Sequence, residues 1–329
     1  MIEYLYLGRV DYADALRLQH ELVELRHAGQ VDNVLLLLEH PPVLTLGRNA
    51  RRSNILATDE ALARNGITVH EINRGGDVTY HGPGQLVGYP IFDLRSLRND
   101  SGARLGPVDF VRRLEEVLIR LCGQFGLQPF RIPGLTGVWC AAHGGPLDEG
   151  RASGADELPP VAEATVDAAG FPRGLKPPPP SASGLPATVA EATTAAEVEH
   201  SKDHPQGEGK IAAIGVHVSR GVTSHGFAFN VRTHLEDFQL IVPCGIADHP
   251  VTSLEKEVAE PEKLPSLEAI ADQAARQFGM VFGEQVLAVE SLAALRARIG
   301  QNFPAEDTPA TPPAELERLR GHQNASELA

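Results

Sequence analysis

The chain has 329 residues, of which 42% are hydrophobic, and a formal net charge of −14. No apolar run approaches the roughly 20 residues that span a bilayer, and the N-terminus lacks a basic segment followed by an apolar one, so we expect a soluble cytoplasmic protein. The acidic balance disfavours nucleic acid as a general partner, because phosphate contacts need a positive surface.

Amphipathic patterns in the first part of the chain predict a mixed α/β fold. Apolar residues recur at helical spacing over residues 12–28, and Gly29 provides a helix end. Residues 34–38 form an aliphatic run of strand length. A second helical pattern begins at Pro107 and ends at Gly126, and residues 136–140 have the composition of another strand.

Residues 141–208 differ in composition from the rest of the chain. They are rich in Gly, Pro, Ala, Ser and Glu, include four consecutive prolines, and carry four basic and eleven acidic side chains, about half of the acidic excess. Few large apolar residues occur there, so we predict a disordered insertion. The alternative is a small ordered subdomain, with short helices over 161–169 or 187–198.

Strand patterns resume after the insertion. Residues 210–218 and 225–231 are predicted strands, antiparallel to each other across a turn at Gly221. Ser266 caps a last amphipathic helix, which we expect to cover one face of a sheet. The predicted organisation is a single catalytic α/β domain formed by 1–140 and 209–285. Residues 286–329 would form a C-terminal extension, partly disordered, with a polar tail from about residue 304 and a short helix near 313–319.

The three cysteines, Cys122, Cys140 and Cys244, lie far apart without CxxC spacing. This argues against a disulfide framework and against a zinc site, so no metal is expected. Cys122 falls on the apolar face of the second helix and Cys140 at a strand end, where structural roles suffice. Cys244, between Pro243 and Gly245, has the setting of a nucleophile at a strand end, with a buried structural thiol as the alternative.

A nucleophilic Cys244 needs an activating neighbour, because a free cysteine has a pKa of about 8.5 and is mostly protonated at neutral pH. Lys210, at the start of a predicted strand, is one candidate, although a solvated lysine is the plain alternative. His40, His81 and His225 are rivals, since a Cys–His pair is a common arrangement.

Twelve consecutive residues have the composition of a binding site: Arg74-Gly75-Gly76-Asp77-Val78-Thr79-Tyr80-His81-Gly82-Pro83-Gly84-Gln85. A simple turn rarely needs an arginine and a histidine among glycines that let the backbone approach a ligand. We expect Arg74 to contact ligand or anchor the loop, since guanidinium stays protonated. Asp77 is expected to face solvent. His81 and His40 either contact substrate or fix the loop through hydrogen bonds to the backbone.

Five blocks of residues, in this order, resemble the lipoyl(octanoyl)transferase family: Glu39-His40-Pro41-Pro42-Val43, the segment from Arg74 to Gln85, Lys210-Ile211-Ala212-Ala213-Ile214-Gly215, His225-Gly226 with Ala228 and Asn230, and Pro243-Cys244-Gly245. The resemblance covers nearly all of the chain outside residues 141–208 and the C-terminal tail. It implies mixed sheets packed with helices, in the α/β fold shared by lipoate and biotin protein ligases.

The resemblance also implies a reaction. Enzymes of this family move an octanoyl group from acyl carrier protein to the ε-amine of a lysine in the lipoyl domains of 2-oxoacid dehydrogenases and in the glycine cleavage H protein. By resemblance, Cys244 becomes an acyl-thioester and Lys210 lowers the pKa of its thiol. Thioester exchange is nearly isoenergetic, so no nucleotide or other cofactor is expected.

The implied acyl-binding residues come from three segments. They are Arg74, Gly75, Gly76, Asp77, Val78, Thr79, Tyr80 and His81; Ala213, Ile214 and Gly215; and Gly226, Phe227 and Ala228. An acidic carrier protein needs a local basic patch for docking, and Arg48, Arg51 and Arg52 are the candidates. Two rival functions remain at this stage: an ATP-dependent lipoate or biotin ligase, which would not need Cys244, and a non-catalytic acyl-binding protein.

Overall fold

The computed structural model describes residues 1–99, 101–141, 208–243 and 250–299. Contacts divide the chain into two compact units, Met1–Ala288 and Val289–Ala329. The first contains both sheets and the candidate site. Within the described residues of the second there is one helix, α6 (Leu292–Ile299), whose N-terminus is capped by the Ser291 hydroxyl. No helix in the described ranges is long and apolar enough to cross a bilayer.

An eight-stranded sheet forms the centre of the first unit, in the order β11-β1-β2-β6-β10-β9-β8-β7. Its strands are β1 (Ile2–Arg9), β2 (Asn33–Glu39), β6 (Gln85–Ile91), β7 (Phe130–Ile132), β8 (Leu135–Ala141), β9 (Glu208–Ser219), β10 (Val222–Asn230) and β11 (Val286–Ala288). β1 pairs in parallel with β2 and with β11, and the other pairs are antiparallel. The sheet is therefore mixed.

A smaller sheet has the order β4-β3-β5. It consists of β3 (Val43–Leu46), β4 (Thr68–Glu71) and β5 (Val78–His81). Its apolar residues form a separate core with Phe238 and Ile241. The twelve-residue segment with four glycines thus contains a whole strand, β5, with the glycine pair before it and the Gly-Pro-Gly turn after it.

Helices pack on both sides of the large sheet. α3 (Pro107–Gly123) and α5 (Leu267–Phe282) cover one face, where Phe278 and Phe282 meet Phe92 and Phe110 in a group of aromatic rings. α1 (Tyr12–His27) contacts β10 and β6, and the side chain of Asp11 caps its first turn. The other α-helices among the described residues of this unit are the short α2 (Asp59–Arg64) and α4 (Leu254–Glu257).

The structure confirms the helices and strands predicted from periodicity. The predicted helix over 12–28 is α1, the helix from Pro107 is α3, and the helix capped by Ser266 is α5, whose Ala269 amide donates to the Ser266 hydroxyl. β9 and β10 pair antiparallel across the predicted turn at Gly221, which has φ 86°.

Three boundaries differ from the predicted organisation. β8 extends to Ala141 and β9 begins at Glu208, the two ends of the predicted insertion, because these residues pair with each other. β11 lies in the predicted C-terminal extension but pairs with β1, and three residues are too few for a recognisable pattern. The predicted insertion over 142–207 and the predicted tail helix lie outside the described residues.

Candidate active site

A cavity of about 420 Å³ lies between the two sheets. The predicted site residues that line it are Arg74, Gly75, Gly76, Asp77, Thr79, His81, Lys210, Ala213, Ile214, Gly215, Gly226, Phe227 and Ala228. Three segments that are far apart in sequence therefore meet at one place, as the resemblance implied.

Small residues of the large sheet form the floor of the cavity. Ala213 pairs with Ala228 and Gly215 with Gly226, so two rows of small side chains run across β9 and β10. A Cβ at Gly226 would lie 2.1 Å from the Gly88 carbonyl oxygen, so no larger residue fits there. An apolar chain can lie on this surface without steric hindrance.

Val78 and Tyr80 do not line the cavity, although the resemblance placed them among the substrate-binding residues. Both belong to β5, where alternate side chains face opposite sides. Thr79 and His81 face the cavity, whereas Val78 and Tyr80 are buried in the core of the small sheet. The Tyr80 hydroxyl donates a hydrogen bond of 2.6 Å to Asp237.

Arg74 anchors the glycine segment to β3. Its guanidinium donates to the Thr45 carbonyl oxygen at 2.7 Å, to the Thr45 hydroxyl at 2.9 Å and to the Gly75 carbonyl oxygen at 3.0 Å. The side chain is buried. A Cβ at Gly47 would lie 2.8 Å from this guanidinium, so the close approach of β3 and the loop requires glycine. Arg74 is thus a structural part of the cavity wall.

The sequence predicted that Asp77 faces solvent, but the structure shows a side chain that is only partly exposed. It is half-buried, and its carboxylate accepts hydrogen bonds of 2.6 Å from the Asn54 side chain and 2.6 Å from the Val78 amide. The Arg51 amide donates to it at 3.4 Å. These bonds tie the glycine loop to residues 51–54, because a carboxylate can accept from several donors at once.

Hydrogen bonds fix the tautomer of His81. The Gln85 amide group donates to the Asn230 side chain at 2.9 Å, and Asn230 in turn donates to the Thr252 carbonyl oxygen at 2.9 Å. The Gln85 oxygen therefore accepts from His81 Nδ1 at 2.8 Å, which leaves Nε2 as an acceptor near the Thr45 hydroxyl. Burial lowers the pKa of His81 to about 3, so the ring is neutral.

His40 supports the cavity without lining it. Its Nδ1 donates to the Val10 carbonyl oxygen at 2.7 Å, and the Tyr89 hydroxyl donates to its Nε2 at 2.7 Å. Burial lowers the pKa of His40 to about 4. Because both ring nitrogens are occupied, His40 acts through Tyr89, which does line the cavity.

His225 is a cavity residue with an unusual backbone. Its φ is 56°, in the left-handed region. Its amide donates to the Gln19 side chain at 2.8 Å, and its Nε2 donates to the Asn73 side chain at 2.8 Å. Burial, reinforced by the Arg74 charge, lowers the pKa of His225 well below its ordinary value. His225 is therefore a neutral wall residue.

Lys210 reaches the cavity from β9 and is 8% exposed. Its Nζ lies 5.2 Å from the centre of the Trp139 ring. Its backbone is held on two sides: Trp139 is its partner on β8, and on the other side its amide donates to the Pro250 carbonyl oxygen at 2.8 Å while its carbonyl accepts from Thr252 at 3.0 Å. Lys210 is a buried, positioned amine.

Cys244 lies outside the described residues, together with 245–249. The residues on either side of this gap are described. Pro243 and Val251 line a small cavity together with Lys210. Described residues on both sides of this gap therefore lie close to Lys210. Cys122 and Cys140 are buried, and burial raises the pKa of both thiols. Among the described residues, no group of His, Cys, Asp and Glu can hold a metal ion.

Sequence reasoning missed three cavity residues of β6 and α1: Val87, Tyr89 and Tyr12. Tyr12 is the first residue of α1, and its ring lies 5.1 Å from His40 and stacks on His81 at 6.2 Å. The signal for Tyr12 is an aromatic residue at a helix start, which helical periodicity assigns to the core. Val87 and Tyr89 alternate on β6, just after the predicted site.

Two comparisons with known proteins, one with family models and one with curated proteins, agree on a family. A model of the lipoyl protein ligase A/B catalytic domain matches residues 11–154 and 182–279. An octanoyltransferase of Acidobacterium capsulatum is 50% identical over 293 residues, covering 88% of this chain and 94% of the relative. An octanoyltransferase of Koribacter versatilis is 45% identical over 319 residues, 97% of each chain.

Two solved structures with a similar fold are lipoate protein ligases. A bi-partite lipoate protein ligase from Thermoplasma acidophilum has a TM-score of 0.54, with 14% identity and 91% of each chain covered. A lipoate-protein ligase A bound with ATP has a TM-score of 0.53, with 13% identity and 91% of this chain and 93% of that chain covered. At these identities the likeness shows a common fold.

Proposed function

The chain belongs to the family of lipoyl protein ligase A/B catalytic domains, and from this membership we propose that it transfers an octanoyl group from acyl carrier protein to lipoyl domains. The acceptor is the ε-amine of a lysine in the lipoyl domains of 2-oxoacid dehydrogenases or in the glycine cleavage H protein. The reaction takes place in the cytoplasm as a step of lipoate synthesis, by way of an acyl-thioester on Cys244. The predicted family, the α/β fold and the prediction of an acyltransferase are confirmed.

The first half-reaction exchanges one thioester for another. The thiolate of Cys244 attacks the octanoyl carbonyl carbon, a new C–S bond forms, and the bond to the carrier sulfur breaks. The carrier leaves as a thiol after it takes up a proton. The Lys210 ammonium favours the thiolate of Cys244 by its charge and can donate this proton.

The second half-reaction forms an amide. The acceptor amine attacks the thioester carbonyl, the C–N bond forms and the C–S bond to Cys244 breaks. The amine loses one proton, and Cys244 leaves as the thiolate with which the cycle began. A neutral Lys210, left after the first half-reaction, is the base in reach of this proton. Because the donor leaves before the acceptor reacts, the kinetics are ping-pong.

The observation that carries this proposal is the position of Lys210. It is buried, it lines the cavity whose floor consists of Ala213, Gly215, Gly226 and Ala228, and it shares a second cavity with Pro243, the residue before Cys244. An octanoyl chain on this floor would have its thioester end at Lys210. Apart from Arg74, Asp77 and Lys210, the residues that line the cavity are apolar or neutral, as a fatty chain requires.

The donor would dock beside the glycine loop. The exposed residues Arg48 and Arg51 flank Asn49, which lines the cavity, and the Arg48 and Asn49 amides donate to the Arg74 and Gly76 carbonyl oxygens. These two arginines therefore stand at the rim of the cavity, where their charge can attract an acidic carrier protein. The guanidinium of Arg52 is paired with Asp59 at 2.5 Å, which offsets part of its charge.

The test is intact-mass measurement after incubation with octanoyl-acyl carrier protein and no acceptor. The wild-type chain should gain one octanoyl group, and Cys244→Ala should gain none. Cys140→Ala is the matched control and should still be acylated, because Cys140 is buried in the core. Adding a lipoyl domain should discharge the group without ATP. A wild-type chain that stays unmodified, or transfer that requires ATP, would overturn the proposal in favour of a ligase.

A further inference from the structure

Lys210 faces the cavity because of an irregularity in β9. Val138 pairs with Ala212, but the next residue, Trp139, pairs with Lys210, so β9 has one extra residue, Ile211. Regular alternation would put Lys210 on the same face as Ala212, which is in the core. The bulge instead puts it on the face of Ala213. Bulges near active sites commonly redirect one side chain in this way.

Gly137 of β8 makes the space for the redirected side chain. Its φ is 131°, a conformation that favours glycine, and a Cβ there would lie 2.6 Å from Cε of Lys210 and 3.3 Å from its Nζ. The same Cβ would lie 2.6 Å from the Ala212 carbonyl oxygen. The lysine side chain therefore passes over Gly137 at a distance that any other residue would prevent.

Glu115 of α3 holds Gly137 in this conformation. Its carboxylate is fully buried and accepts from the Gly137 amide at 3.1 Å. The other carboxylate oxygen accepts from Arg112 at 2.8 Å and from Arg131 at 3.1 Å. A buried carboxylate held by two arginines is a rigid acceptor, so the Gly137 amide has little freedom to turn.

Trp139 holds the end of the same lysine. Its ring is fully buried, and the Lys210 ammonium lies 5.2 Å from the ring centre. That distance is within the range in which the face of an indole attracts a cation. One strand, β8, thus contacts the side chain of Lys210 twice, along its methylenes at Gly137 and at its ammonium over Trp139.

We propose that Gly137 and Trp139 are positioning residues that, with the β9 bulge, hold the Lys210 ammonium in its place in the cavity, and that Glu115 keeps Gly137 in place. The proposal rests on the catalytic role proposed for Lys210. It adds that this role depends on a seat formed by Gly137 and Trp139 of β8, which are not among the residues that line the cavity. Neither Gly137 nor Trp139 takes part in proton transfer.

The direct test uses the resonances of Lys210 in the unmodified full-length enzyme labelled with 13C-lysine. The chain has only five lysines, so Lys210→Arg identifies the signal. A Lys210 side chain over an indole ring has its ε-methylene protons shifted upfield by the ring current. An upfield-shifted signal in the wild-type protein is the expected result. A signal at the position of a solvated lysine overturns the proposal without any variant at the seat.

Variants separate the seat from general stability. Gly137→Ala should abolish the upfield shift and lower kcat for octanoyl transfer on the order of 10²-fold, with a smaller change in KM. Gly126→Ala is the matched control, because Gly126 also has a positive φ, 80°, but nothing lies within 4 Å of its added Cβ. Trp139→Leu should lose the shift, and Trp139→Phe should keep part of the shift and part of kcat.

The outcomes distinguish this proposal from the proposed function. If Lys210→Ala transfers octanoyl normally while the wild-type signal is shifted upfield, the seat exists and the catalytic role of Lys210 is wrong. If Gly137→Ala keeps both the shifted signal and kcat, the seat is wrong whatever Lys210 does. Thermal unfolding of each variant shows that the measured chain is folded, and the wild-type signal decides the question should Trp139→Leu fail to fold.

Discussion

At the scale of single residues, the imidazoles in and behind the cavity wall are buried and neutral. His40 is hydrogen-bonded through both ring nitrogens, and His81 is hydrogen-bonded through Nδ1, with its Nε2 3.5 Å from the Thr45 hydroxyl. Burial lowers the pKa of each. Neutral rings suit an apolar substrate, since a charged imidazolium beside an octanoyl chain would lack solvation. The consequence is a dependence of stability on pH.

Replacing His40 should make the protein more tolerant of acid. Its folded pKa of about 4 lies below the value near 6.5 of an unfolded histidine. The unfolded chain therefore binds a proton first as pH falls, and stability is lost between pH 6.5 and 4, by about 2 kcal/mol at pH 5. Urea unfolding at pH 7 and pH 5 should show a smaller loss in His40→Gln than in the wild type.

His234→Gln is the control for this measurement, because the His234 side chain is 71% exposed. Its loss of stability between pH 7 and pH 5 should match that of the wild type. Equal losses in His40→Gln and the wild type would contradict the assignment of a neutral buried His40.

The sequence predicted the site residues in part. The blocks around Arg74, Lys210 and Gly226 meet at one cavity as expected. The resemblance assigned Val78 and Tyr80 to substrate binding, but neither lines the cavity. A motif does not show that its second half is a strand whose side chains alternate. Trp139 and Glu115 were also out of reach, since they act through β8 from outside every motif.

At the scale of elements, the helices were predictable and the short strands were not. α1, α3 and α5 each span four turns or more, long enough for apolar periodicity to be clear. β3, β4 and β5 have four residues each, and β5 lies within a segment whose glycines indicate a loop. Their pairing depends on contacts between residues distant in sequence, which no local pattern contains.

β6 is fixed to β10 by a buried hydroxyl as it leaves the sheet. Thr223 Oγ1 donates to the Pro90 carbonyl oxygen at 2.6 Å and accepts from the Phe92 amide at 2.9 Å. Thr223→Val keeps the shape but leaves both groups without this partner, so the free energy of unfolding should fall by about 1–3 kcal/mol. Urea unfolding of the variant and the wild type measures this difference in free energy. Thr68→Val, at an exposed position on β4, should change stability little, and an equally small effect at Thr223 would refute the argument.

At the scale of the whole molecule, the proposed reaction requires an acidic protein to bind an acidic donor. The net charge of −14 opposes their approach, and only a local field at the cavity rim can reverse this. Arg48 and Arg51 stand at that rim. Association should therefore be fastest at low ionic strength and slow as salt screens the arginines.

Reversing both charges tests this field. Arg48→Glu with Arg51→Glu should raise KM for octanoyl-acyl carrier protein by about tenfold at low salt and weaken the salt dependence. The kcat with a small octanoyl thioester should stay the same. Arg120→Glu on α3, which covers the opposite face of the large sheet, is the control and should leave KM unchanged. A carrier KM that does not respond to the double reversal would rule out docking at this rim.

The contacts that hold Lys210 determine where the length of the chain can vary. Its main chain is clamped between Trp139 on one side and Pro250 and Thr252 on the other, so its location is set across the sheet and not by the residues that precede it. Ala141 and Glu208, where the long connection leaves and returns, are paired neighbours. Lengthening or shortening that connection therefore costs little chain entropy and leaves the amine where it was. Homologous enzymes are free to differ in length at this point without losing chemistry.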